Sequence, residues 1–83
     1  MLSESQIRGA ARESVTQMLH SADFADDDPL ISSGRIDSLS ILKLMASLEK
    51  KLNVHLPAAR LQPDDFENVD IIVETVERVA VPK

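Results

Sequence analysis

An 83-residue chain without cysteine leaves room for one small core and excludes a disulfide framework or a thiolate metal site. It carries 14 Asp and Glu against 9 Lys and Arg, a formal net charge of −5, which excludes the clustered cations that nucleic acid or an anionic membrane requires. Only Phe24 and Phe66 are aromatic, so the base-stacking platform of single-strand binders is missing too.

At the N-terminus, Met1-Leu2-Ser3-Glu4-Ser5-Gln6 shows no basic stretch followed by an apolar run. No segment approaches the roughly 20 apolar residues of a membrane span. The expectation is therefore a soluble, cytoplasmic, monomeric chain forming a single domain over residues 1–83. Ser3-Glu4-Ser5-Gln6 has the form of a capping box, and Ile7, Ala11, Val15 and Met18 follow at helical spacing, which predicts a helix from Ser3 to His20. A long connection comes next, with turn chemistry at Asp26-Asp27-Asp28-Pro29 and Ser32-Ser33-Gly34. Leu30, Ile31 and Ile36 are expected to pin it to the core, and Gly34 to adopt a positive φ. The aspartates from Asp23 to Asp28 fail the calcium-loop template, because Ile31 stands at the sixth position counted from Asp26, where glycine is required. A solvated loop without metal is expected.

The second predicted helix, Ser38 to Asn53, places Ile41, Leu42, Leu44, Met45, Leu48 and Leu52 on an arc of roughly 160° at about 100° per residue. Leu39 and Ala46 fall to one side, near Lys43 and Lys50, as a partly exposed apolar spot next to Ser38. Leu56-Pro57 opens an irregular segment, and Leu61 to Phe66 looks like a single helical turn with an early proline. Asn68 caps a last helix whose face is Val69, Ile72, Val73, Val76, Val79 and Ala80, with Pro82 as terminator. Met18 and Met45 are expected in the core, and the isolated His20 and His55 at helix ends or on the surface. The fold class is all-α, with three main helices and one short helix.

Chemistry concentrates at Gly34-Arg35-Ile36-Asp37-Ser38-Leu39, which sets one hydroxyl at the start of the second helix. The first turn of a helix offers unpaired N–H groups and a positive dipole end, a field that favours a phosphodiester. Asp37-Ser38 is equally an ordinary N-cap signal, and Asp37 can cap in either case.

Together with the Leu42-Leu44-Met45-Leu48-Glu49-Leu52 pattern and Pro63-Asp64-Asp65-Phe66-Glu67-Asn68-Val69, this hexapeptide resembles an acyl carrier protein over nearly the whole chain. The resemblance implies a carrier-type four-helix bundle that is not an enzyme. It makes Ser38 the attachment point of 4′-phosphopantetheine, transferred from coenzyme A by a phosphopantetheinyl transferase with magnesium. It gives Asp37 the role of positioning that metal and the transferase, and puts Leu39, with Ala46 and Lys43, on the partner-binding face. The implied cargo is acyl or aminoacyl, held as a thioester, supplied by a loading ligase and consumed by downstream acyl-transfer enzymes of lipid or secondary metabolite biosynthesis. Fatty-acid carriers show a strongly acidic second helix, whereas this one sets Lys43, Lys50 and Lys51 against Glu49 alone. Glycine four residues before the serine is similar to the D-alanyl carrier proteins. An unmodified helical protein-interaction module is the alternative. A hydrolase is disfavoured, for no histidine lies near Ser38 in sequence and no Gly-x-Ser-x-Gly elbow is present.

Overall fold

A computed structural model describes residues 2–83, so Met1, the first residue of the stretch read for a leader, lies outside it. Helix α1 runs Glu4–Leu19, α2 Ser38–Leu52 and α3 Val69–Val79, and α1 packs against both of the others. Each helix start is closed by a side chain that satisfies an orphan N–H. The Gln6 N–H donates to Ser3 Oγ at 3.2 Å while Gln6 Oε1 accepts the Ser3 N–H at 2.8 Å, completing the expected capping box. Asp37 Oδ1 accepts from the Ser40 N–H and Asn68 Oδ1 from the Ile71 N–H, both at 2.8 Å. His20 and Asn53 end α1 and α2 by entering the left-handed region at φ 56° and 54°.

The core lies where the three apolar faces meet the connecting segments. Leu30 and Ile36 from the long loop, Leu44 and Leu48 from α2, Phe66 and Ile72 are almost wholly buried. Two polar side chains share this interior, and both are paired. Ser14 Oγ lies 2.7 Å from Ser47 Oγ, and the Thr75 hydroxyl donates to the Asp65 carbonyl at 2.9 Å. No buried side-chain polar atom among the described residues lacks a partner, as expected of a well-formed interior.

Three details depart from the sequence reading. Met18, expected in the core, is only half-buried against it. The helical turn expected over Leu61 to Phe66 is present as a 3-10 turn, Pro63–Phe66, but the segment before it, expected to be irregular, holds a second 3-10 turn, Ala58–Arg60. Pro82 does more than terminate: Val54–His55 (β1) and Val81–Pro82 (β2) form an antiparallel pair with Val54 opposite Pro82 and His55 opposite Val81. Val81, as the residue before proline, is disfavoured in the helical region, so α3 stops at Val79 and the tail turns extended.

Candidate functional site

The loop before α2 positions Ser38, and it is held from three directions. Glu67 does most from below: its carbonyl accepts the Leu30 N–H at 2.7 Å, and its Oε1 accepts the N–H groups of Ile31 and Ser32 at 3.0 Å each. These backbone donors, Ser32 first and Ile31 after it, hold the Glu67 carboxyl below its usual range against a smaller opposing effect of desolvation. From α1, Arg8 reaches Asp26 and Asp70 at 2.6 Å each, and Arg12 binds Asp26 and lies over the Phe24 ring at 4.3 Å. Desolvation would push the Asp26 carboxyl up, but Arg12 and Arg8 together outweigh it and hold it low. The Arg8 guanidinium is raised in turn, by Asp70 foremost and then by Glu4 and Asp26. Finally, Ile36 and Leu30 close the loop on itself through an N–H to carbonyl bond of 2.9 Å, with Gly34 at φ 81° making the turn between them.

The aspartate cluster is therefore not the purely solvated loop expected from sequence. Asp26 is a half-buried strut and Asp28 Oδ2 accepts the Ala25 N–H at 2.8 Å, while Asp23 and Asp27 alone remain exposed. No group of three or more potential metal ligands exists among the described residues.

Ser38 is exposed and occupies the first position of α2. Its neighbour Asp37 spends one carboxylate oxygen on the Ser40 N–H. That backbone bond, with further help from the Ser40 side chain, the Leu39 N–H and the charge of Lys43, keeps the Asp37 carboxyl below its usual value despite some desolvation. Asp37 is thus anionic at neutral pH. A solvent-facing hydroxyl leaves a phosphodiester sterically free and the helix dipole beneath it favours the anion, while the ionised carboxylate beside it suits a cation.

Along α2, Leu39 is 78% exposed, and Ala46 and Lys43 are exposed as expected. Leu42 corrects the reading that placed it on the buried arc, because it is 61% exposed. The buried residues Ile41, Leu44, Met45, Leu48 and Leu52 span only about 100°. The elements that α2 meets, α1, β1 and the Pro63–Phe66 turn, bury that narrower face and leave Leu42 in solvent. The signal for it was available: Leu42 follows Leu39 by three positions and precedes Ala46 by four, one stripe of a helix. Of the three lysines set against Glu49, Lys51 turns toward α1, where its Nζ pairs with Glu13 at 2.9 Å. His20 caps α1 and is exposed, and His55 Nδ1 lies 3.3 Å from Glu49 Oε2 at the surface. Glu67 as the loop's anchor was missed, because its partners stand 36 and 35 residues away.

An open apolar groove lies at the far end of α2 from Ser38, lined by Ile7, Leu52, Val54 and Val76 among others. Ser38 is exposed at the opposite end of α2, a position that suits presentation to another surface.

Residues 10–76 match the family model described as a phosphopantetheine attachment site. The chain is 30% identical over 73 residues to the D-alanyl carrier protein of Leuconostoc citreum strain KM20, with 82% of this chain and 94% of that protein covered. It is 34% identical over 53 residues to the D-alanyl carrier proteins of Streptococcus pyogenes serotypes M5 (strain Manfredo) and M49 (strain NZ131), covering 64% of this chain and 67% of each. No solved structure matches it significantly.

Proposed function

The chain belongs to the phosphopantetheine-attachment family of carrier proteins, and on that premise we propose that Ser38 is the residue that bears the covalent 4′-phosphopantetheine. Members of this family are non-catalytic carriers, and the work of this chain is to hold the group and present it. The observation that carries the assignment is an exposed hydroxyl on the first residue of α2, beside an ionised carboxylate and above an anchored loop. When bound, the group supplies a flexible arm ending in a thiol, the chemistry that holds a cargo as a thioester and raises its concentration at each partner's active site.

In the attachment step the Ser38 oxygen would attack the pantetheine-side phosphorus of coenzyme A's pyrophosphate, forming the phosphodiester as the P–O bond to the adenosine-side phosphate breaks; adenosine 3′,5′-bisphosphate leaves, and the hydroxyl proton passes to a base supplied by the transferase. Asp37 contributes by fixing the start of α2 through Oδ1 and by presenting its remaining carboxylate oxygen to the cation and transferase that serve the step. Leu39, Ala46 and Lys43 form the partner-facing surface, taken in turn by a phosphopantetheinyl transferase, a loading ligase and downstream acyl-transfer enzymes. We assign an aminoacyl or specialised acyl cargo in preference to a housekeeping fatty acyl chain. The support is the lysine-bearing α2, the glycine four residues before Ser38, and relatives named for D-alanyl carriage. On this reading residues 1–83 act as one monomeric carrier domain in the cytoplasm.

The test is intact mass after incubation with coenzyme A and a promiscuous phosphopantetheinyl transferase. Wild type gains the mass of one arm and Ser38→Ala gains none. A wild type that stays bare would leave an unmodified interaction module as the better account.

A further inference from the structure

We infer that Glu67 is a positioning residue for attachment of the arm, acting through the lobe of residues 31–35 that leads into Asp37 and Ser38. The inference rests on the Ser38 reading and adds to that site a residue from the other side of α2 in the chain. The two ends of the lobe are fixed by their own burial. Leu30 and Ile36 are 0% and 2% exposed, and the Ile36 N–H donates to the Leu30 carbonyl at 2.9 Å. Between them little is buried: Ile31 is half-buried, and Ser32, Ser33, Gly34 and Arg35 are exposed. Within the loop, the Gly34 N–H donates to the Ile31 carbonyl at 3.0 Å, the Ser33 hydroxyl to the Pro29 carbonyl at 2.7 Å, and the Arg35 guanidinium to the Asp23 carbonyl at 3.4 Å. The described hydrogen bonds that tie the lobe to a part of the chain outside its own loop both end on Glu67 Oε1, which accepts the Ile31 and Ser32 N–H groups.

Glu67 is itself well fixed. Phe66 before it is 1% exposed, Asn68 after it caps α3, and the Thr75 hydroxyl holds the Asp65 carbonyl at 2.9 Å, so the carboxylate projects from a rigid post. A transferase working on Ser38 meets the lobe beside it, and a lobe already ordered spares the entropy of ordering it on binding. Released from Glu67, the lobe spends part of its time in other conformations, and affinity falls by the fraction that stays competent. The reacting hydroxyl keeps its place, because the start of α2 is set separately by Asp37 Oδ1 on the Ser40 N–H. The signature of such a residue is a raised KM with kcat retained.

Timed intact-mass spectra of the full chain with coenzyme A and a promiscuous phosphopantetheinyl transferase, taken over a range of carrier concentrations, give KM and kcat for attachment. Glu67→Ala should raise KM roughly fivefold and leave kcat within about twofold of wild type. Glu67→Gln keeps an acceptor oxygen on a side chain of the same length and should restore the wild-type KM. Arg8→Gln is the control, because it removes the ion pairs to Asp26 and Asp70 and so loosens the loop away from the lobe. It should lower Tm without raising KM. Hydrogen exchange reads the lobe without any transferase: in Glu67→Ala the Gly34 amide should exchange faster while the Ile36 amide stays protected. An unchanged KM in Glu67→Ala, a loss confined to kcat, no recovery in Glu67→Gln, an equal rise in Arg8→Gln, or an unaltered Gly34 amide would each overturn the inference. A wild type that takes no arm would overturn the Ser38 reading and this inference with it, and the wild-type spectrum reports that before any variant is compared.

Discussion

Where the loop becomes α2, Asp37 holds the boundary: its Oδ1 takes the Ser40 N–H while its charge stands beside Ser38. Capping and charge are separable by substitution, because asparagine caps about as well as aspartate and alanine does not. Asp37→Asn should keep the melting temperature of wild type but slow the transferase-dependent mass gain. Asp37→Ala should lose both, with Tm lower by roughly 4–8 °C. Thermal circular dichroism and timed intact-mass spectra check the pair, and an Asn variant modified at the wild-type rate would confine Asp37 to capping. Much at this scale was legible in sequence. The Ser3 box, the Asn68 cap, the positive φ at Gly34 and the hydroxyl at a helix start all follow from chemistry within a few residues of one another. Glu67 was not legible, since a glutamate after a short turn carries no local mark of holding Ile31 and Ser32.

For α2 as an element, periodicity named the apolar candidates and the neighbours chose among them. Leu42 and Leu44 were indistinguishable by hydropathy, yet Leu44 is 0% exposed and Leu42 61%. Leu44→Ala should cost roughly 2–5 kcal/mol, the range for truncating a packed core side chain. Leu42→Ala should change stability by less than about 0.5 kcal/mol, as for a surface site. Urea midpoints of the two variants decide, and a comparable loss in both would mean that α2 is rotated from the orientation described. The loop that leads into α2 offers its own measurement. Glu67→Ala removes the one side-chain oxygen that accepts from both the Ile31 and Ser32 N–H groups, so hydrogen exchange should accelerate at those amides while the amides in the middle of α1 stay protected.

Across the whole molecule, Asp26, Asp37 and Glu67 are all held below their usual ionisation values in the folded chain. Unfolding therefore takes up protons in acid, and the stability these groups contribute is complete above the ordinary carboxylate value of about 4 and is lost as pH falls below it. Urea midpoints should be flat from pH 8 to 5 and fall toward pH 3. Glu67→Gln, which keeps an acceptor oxygen but cannot titrate there, should fall less steeply; an unaltered slope would show that Glu67 contributes nothing to acid sensitivity. The same three carboxylates show how knowledge of this protein divides. Helix number, helix starts, the lack among the described residues of a helix long and apolar enough to cross a membrane, and the Asp37-Ser38 pair at a helix start were legible in the sequence itself, because each depends on spacing and hydrogen bonding inside one short segment. Tertiary structure alone decided that Leu42 joins Leu39 in solvent, that Arg8 and Arg12 fasten Asp26, and that Val81–Pro82 pairs with Val54–His55. Each of those outcomes depends on which distant segment arrives as a neighbour, and distance along the chain erases any local trace of that choice.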